Sequence, residues 1–120
     1  MLIARFDGCT LPRNPNGYSA CACIIKRDGQ TIYRASEYIG VGKGMTNNVS
    51  EFRGLMLILK WFNALENKER LHIIGDSTVV IRRMNGKARK AVKGICAPQA
   101  NDCILAASWH RQWLTFEWQG

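Results

Sequence analysis

The sequence contains no apolar run approaching the roughly 18 to 20 residues that a helix needs to cross a bilayer. Its N-terminus, MLIARFDG, lacks a basic stretch followed by an apolar core of about 7 to 15 residues, so no secretory leader is expected. Acidic residues are scarce: 9 Asp and Glu stand against 17 Lys and Arg, for a net charge of +8. Such an excess attracts polyanions, and with no membrane span the expected partner is nucleic acid rather than a membrane. There are only two histidines, His72 and His110. The five cysteines (Cys9, Cys21, Cys23, Cys96 and Cys103) are odd in number and lack the spacing of a disulfide scaffold or zinc ribbon. Reduced, buried thiols in a cytoplasmic protein are the expectation. Internal repeats, low-complexity tracts and linkers are also missing, so residues 1–120 read as one domain.

What is present suits a folded chain. Apolar residues make up 47% and charged residues 22% of 120 positions, enough to bury roughly two-thirds of the unfolded surface. Residues 2 to 7 read as a strand ending at Asp7-Gly8, followed by a turn-rich segment, Pro12 to Gly17. Tyr18 to Lys26 and Gln30 to Ile39 read as strands joined by Asp28-Gly29, a hairpin signal. Val49, Phe52, Leu55, Met56, Leu59 and Phe62 recur at helical spacing. Leu71 to Ile74 is a short buried strand, Ser77 to Met84 a helix, Pro98 to about His110 another helix, and Leu114 to Trp118 a last strand. The order β-β-β-α-β-α-α-β predicts an α/β fold. Its mixed five-stranded sheet has three antiparallel strands followed by parallel ones, with helices on both faces and no C-terminal helix.

Three carboxylates stand out. Asp7 and Asp76 each follow a hydrophobic strand, at the strand ends where open sheets gather ligands. Glu51 shares a helical stripe with Leu55, Ile58, Phe62 and Leu65, which directs it at the sheet rather than at solvent. Each also has a purely structural explanation. Glu51 fits a capping box with Asn48 as N-cap, Asp7-Gly8 fits a turn, and Asp76 fits a helix cap. Three carboxylates converging at one edge would repel one another unless cations lay between them. Hard oxygen ligands suit Mg²⁺ or Mn²⁺, and two such ions about 4 Å apart can drive phosphodiester hydrolysis.

Asp7-Gly8, Asn14-Pro15, Thr46-Asn47-Asn48-Val49-Ser50-Glu51, Gly75-Asp76-Ser77 and Phe116-Glu117-Trp118 occur in the order and spacing of type 1 ribonucleases H. The chain resembles that family, part of the ribonuclease H-like superfamily, over essentially its whole length. Its short Met84-Asn85-Gly86-Lys87 connection is similar to the compact archaeal-like branch. The resemblance implies endonucleolytic cleavage of the RNA strand of an RNA–DNA hybrid using two Mg²⁺ or Mn²⁺ ions; a monomer is expected unless a second chain completes the site. It implies catalytic and metal-binding roles for Asp7, Glu51 and Asp76. Asp7 would be shared by both ions, with Glu51 and Asp76 on the leaving-group side. It implies substrate contacts from Gly8, Cys9 and Asn14 near the RNA 2′-hydroxyls, from Asn47 and Asn48 in the minor groove, and from Ser77. The basic run Arg82, Arg83, Lys87, Arg89, Lys90 and Lys93 reads as a DNA-strand contact, with Lys87, Arg89 and Lys90 foremost. Trp61, Trp109, Trp113 and Trp118 read as core or helix-packing residues.

The family pattern also has a fourth carboxylate, an Asp opening a helix after the last strand, whereas this sequence stops at Gln119-Gly120. Truncation, supply by a second chain, and a hybrid-binding module without turnover all remain open. Asp102 reads as a helix-surface residue and His110 as a helix-end residue rather than as substitutes.

Overall fold

The computed structural model describes residues 1–86 and 97–120. Five strands, β1 (Leu2–Leu11), β2 (Tyr18–Arg27), β3 (Gln30–Val41), β4 (Leu71–Gly75) and β5 (Leu114–Trp118), alternate with helices α1 (Asn47–Asn63), α2 (Thr78–Met84) and α3 (Ala97–Ser108) in the expected order. The sheet order is β3-β2-β1-β4-β5. β1, β2 and β3 form an antiparallel meander, while β4 runs parallel to both β1 and β5. Asp28 and Gly29 turn the β2–β3 hairpin at φ 50° and 85°, the left-handed pair that lets a two-residue loop follow the strands' twist.

One face of the sheet carries the core. Leu2, Ala4, Phe6, Cys23, Ile25, Leu71, Ile73, Leu114 and Phe116 alternate inward along their strands. Phe52, Leu55, Ile58, Leu59 and Phe62 of α1 meet them, with Val80, Ile81 and Met84 of α2 and Ala100, Cys103 and Ala107 of α3 beside them. Helices were expected on both faces, but the described ones all pack on this side. The physical reason is the other face's chemistry. Arg5, Asp7, Arg34 and Ser36 break up the middle of that face, where a helix would have to pack, and line an open groove of about 720 Å³.

Several local expectations need correction. β1 does not end at Asp7: it continues to Leu11, with Asp7 paired mid-strand to Ala22, because β2 supplies antiparallel partners through Tyr18. The N-cap of α1 is Thr46, not Asn48. Its Oγ1 accepts the Val49 N–H at 3.1 Å, which leaves Glu51 outside any capping box. α2 is capped by Ser77, whose Oγ accepts the Val80 N–H at 3.3 Å, so Asp76 is not the cap. Trp61 and Trp113 do pack against the core, but Trp109 is 77% exposed and Trp118 50% exposed. Both lie beyond the apolar stripe that α3 and β5 turn inward. Cys9, Cys21, Cys23 and Cys103 are free thiols, and Cys9 is exposed rather than buried because it points to the uncovered face. Cys96 falls outside the described residues. No described helix is long and apolar enough to cross a membrane.

Candidate metal centre

The parallel ladder between β1 and β4 runs from Leu2 opposite Leu71 to Arg5 opposite Ile74 and then stops. Beyond it β1 continues alongside β2, while the chain leaving β4 turns at Asp76 into α2. Asp7 and Asp76 therefore stand on the two sides of a fork at the carboxyl ends of parallel strands. Glu51 reaches the same fork because α1 lies directly on β1. A Cβ at Gly8 would come within 2.4 Å of the Ser50 carbonyl carbon and 2.7 Å of the Glu51 nitrogen. One at Gly54 would meet the Asp7 carbonyl oxygen at 3.0 Å. Only residues without side chains permit this approach of backbone to backbone.

One carboxylate oxygen from each of Asp7, Glu51 and Asp76 lies within 4.8 Å of the other two. Asp7 and Asp76 are exposed, whereas Glu51 is only 7% exposed, and its Oε2 is buried without a hydrogen-bond partner. Burial raises the Glu51 pKa to about 8, with the Asp76 and Asp7 charges adding to the rise and the Gly8 N–H partly offsetting it. Gly8 N–H also donates to Asp7 Oδ1 at 2.9 Å. The Trp118 indole N–H donates to the Asp76 carbonyl oxygen at 2.9 Å, and Gln119 N–H to that of Gly75 at 2.9 Å, tying the end of β4 to β5. The carboxylates converge without the structural roles that could have explained each separately: no turn at Asp7, no capping box at Glu51, no cap at Asp76. An orphaned buried oxygen among like charges is the setting that a divalent cation relieves.

The other candidate residues fall into three groups. Gly8 packs beneath α1. Cys9 is exposed two residues beyond Asp7 on the same strand face. Asn14, Asn47 and Thr10 form a chain: Asn47 N–H donates to Asn14 Oδ1 at 3.1 Å, and Thr10 N–H donates to Asn47 Oδ1 at 2.8 Å. Their carbonyl oxygens thus hold the end of β1 to the start of α1, and both asparagines are exposed. Asn48 is half-buried, and Ser77 caps α2 at the foot of the fork. Lys87, Arg89 and Lys90, the main part of the expected basic contact, lie outside the described residues. Asp102 is exposed on α3, and His110 follows that helix with its ring edge-on to Phe62 at 5.7 Å. Among the described residues neither joins the carboxylates. Sequence reasoning placed Trp118 and Thr46 within its motifs but missed what each does: Trp118 as donor to the Asp76 carbonyl and Thr46 as the cap of α1. A tryptophan's donor and a threonine before two asparagines gave no signal until the neighbouring strand and helix were in place.

No protein-family model matches the sequence. Solved structures do match. LC11-RNase H1 in complex with an RNA/DNA hybrid superposes with a TM-score of 0.81 at 22% identity, covering 99% of this chain and 85% of the other. The chain has the ribonuclease H fold. The N-terminal RNase H domain of a Mycobacterium tuberculosis protein matches with a TM-score of 0.83 at 22% identity, over 99% of this chain and 86% of that one. RNase H1 from the archaeon Halobacterium salinarum matches at 0.71 and 20% identity, covering 98% and 86%. Within the ribonuclease H fold, the fork between β1 and β4 is where this chain gathers its acidic cluster, a donor set that suits a divalent cation.

Proposed function

We propose that the protein is a metal-dependent ribonuclease that hydrolyses the RNA strand of RNA–DNA hybrids, with Asp7, Glu51 and Asp76 as its catalytic metal ligands. The observation that carries this reading is the convergence of the three carboxylates within 4.8 Å around a buried, unpartnered Glu51 oxygen. The likeness to RNase H1 structures, one holding an RNA/DNA hybrid, supports the substrate class.

Two Mg²⁺ or Mn²⁺ ions, when bound, would supply an activated water and charge stabilisation at the leaving oxygen. The chain's own groups do the rest. Asp7 is held by the Gly8 N–H, and Glu51 is confined by the packing of α1 on β1. Asp76 is fixed through its backbone by Trp118. Asn47 and Asn48 would present amide donors to the hybrid's minor groove. Gly8, Cys9 and Asn14 would lie along the RNA 2′-hydroxyls, which distinguish RNA from DNA. Ser77, Lys87, Arg89 and Lys90 would extend the grip, the lysines and arginine to DNA phosphates. We place this activity in the cytoplasm, in a monomeric domain spanning residues 1–120.

A nicking assay on labelled RNA–DNA hybrid in Mg²⁺ and Mn²⁺ tests the reading, with duplex RNA and duplex DNA alongside. Cleavage confined to the RNA of the hybrid and lost in Asp7→Asn is expected. Equal cleavage by both proteins, or preference for duplex DNA, would overturn it. Three carboxylates rather than four meet among the described residues, which favours one second reading: a hybrid-binding module without turnover. Salt-sensitive hybrid affinity with no product in either metal would select it.

A further inference from the structure

The sheet face that carries Asp7 continues past the carboxylates into a patch with a different chemistry. Strand register sets its rows: Asp7–Ala22–Ser36, then Cys9–Ala20–Tyr38, then Leu11–Tyr18–Val41. On β1 and β2 successive rows are about 6.6 to 6.8 Å apart, whereas on β3 the bulge opposite Ser19/Ala20 sets Val41 three residues beyond Tyr38. In the last two rows Leu11 is 61%, Tyr18 60%, Tyr38 63% and Val41 54% exposed. Four large apolar side chains contiguous across three strands are unusual on a free surface, where such residues are normally scattered singly.

Three features identify what this patch would hold. Tyr18 and Tyr38 stand in successive rows on neighbouring strands, on either side of the bulge at Ser19/Ala20, and Ala20, opposite Tyr38, is too small to screen either ring. Nothing in the two rows is acidic: beyond Asp7 they hold Cys9, Leu11, Tyr18, Ala20, Tyr38 and Val41. The bordering loops carry exposed cations, Arg13 and Lys43, and are joined by hydrogen bonds from Asn16 N–H to Met45 O at 2.8 Å and from Gly42 N–H to Gly17 O at 3.1 Å. Exposed planar rings with cations at the margin fit nucleobases and their phosphates.

We propose that Tyr18 and Tyr38 form a stacking platform for an unpaired single strand leading away from the carboxylate cluster, with Arg13 and Lys43 beside its phosphates. The proposal rests on the hybrid-cleaving reading for its direction along the sheet. The platform makes the protein favour hybrids with a single-stranded tail over blunt ones.

The test is fluorescence anisotropy in EDTA, so that nothing is cut, with blunt RNA–DNA hybrid and the same hybrid bearing a short single-stranded tail at either end of the RNA strand. Wild type, Tyr18→Ala/Tyr38→Ala and Tyr18→Phe/Tyr38→Phe are compared. All four substitutions remove exposed groups, and thermal melts confirm folding. A tail at one end is expected to tighten binding roughly five-fold or more. The alanine pair should abolish that gain and the phenylalanine pair keep it. Equal affinity for tailed and blunt hybrids, or a gain indifferent to alanine as a protein-docking face would give, overturns the platform. Cleavage of blunt hybrid in Mg²⁺, measured in parallel, separates the two readings. Cleavage without tail preference leaves the nuclease and removes the platform; tail preference without cleavage does the reverse.

Discussion

Gly8 and Ser50 meet backbone to backbone, closely enough that a Cβ at Gly8 would lie 2.4 Å from the Ser50 carbonyl carbon. This contact seats α1 on β1 and sets the distance between Glu51 and Asp7. Gly8→Ala must push the helix away from the strand, since the atoms its Cβ would meet are backbone and no side chain can turn aside. Denaturant unfolding should show a loss of roughly 1 to 3 kcal/mol. Calorimetric titration should show weaker Mn²⁺ binding in the same variant. Unchanged metal affinity would mean that the helix position does not govern the cluster.

Divalent metal should stabilise the protein by binding only the folded cluster. Mg²⁺ or Mn²⁺ is expected to raise Tm in the wild type by several degrees or more. In Asp7→Asn that rise should shrink, while the metal-free Tm stays level or increases because one repelling charge is gone. A metal response identical in the two proteins would exclude Asp7 as a ligand.

The metal-free protein should lose stability between pH 4.5 and about 8. Glu51 is an acid whose folded pKa is raised, from an ordinary 4.5 to about 8, so in this window the folded state holds a proton that the unfolded state has released. Unfolding then releases protons, and stability falls as pH rises until Glu51 ionises in both states. Glu51→Gln, measured in EDTA, should flatten this slope. For the same reason Mn²⁺ should bind the wild type more tightly as pH rises toward 8. A slope unaltered by the glutamine variant would assign it to another group.

Asn47 and Asn48 are adjacent but should behave differently. Asn47 Oδ1 accepts the Thr10 N–H at 2.8 Å, so Asn47→Ala should cost about 1 kcal/mol of stability as well as affinity. Asn48 makes no such tie among the described side-chain hydrogen bonds. Asn48→Ala should therefore leave urea unfolding within about 0.5 kcal/mol while weakening hybrid binding. Equal stability losses would remove the distinction.

Much of this architecture was legible from residue pattern. The hairpin at Asp28-Gly29, the α1 stripe through Phe52, Leu55 and Phe62, and the short buried run Leu71–Ile74 are local signals, and each matches its element. The burial of Glu51 followed from its place on that stripe. Element ends were less legible. β1 outran its expected boundary because strand length depends on a partner, and Thr46 displaced Asn48 as the cap because capping is decided by backbone angles rather than residue type.

The sequence alone determined the order of strands and helices and the candidate acidic trio, since hydrophobic periodicity and turn chemistry act over a few neighbouring residues. Tertiary structure decided that Asp7, Glu51 and Asp76 meet, that Trp118 holds the backbone of Asp76, and that Tyr18 and Tyr38 share a face with Asp7. Those relations join positions far apart along the chain. They depend on strand register and on how closely one backbone can approach another, which no short stretch of residues encodes.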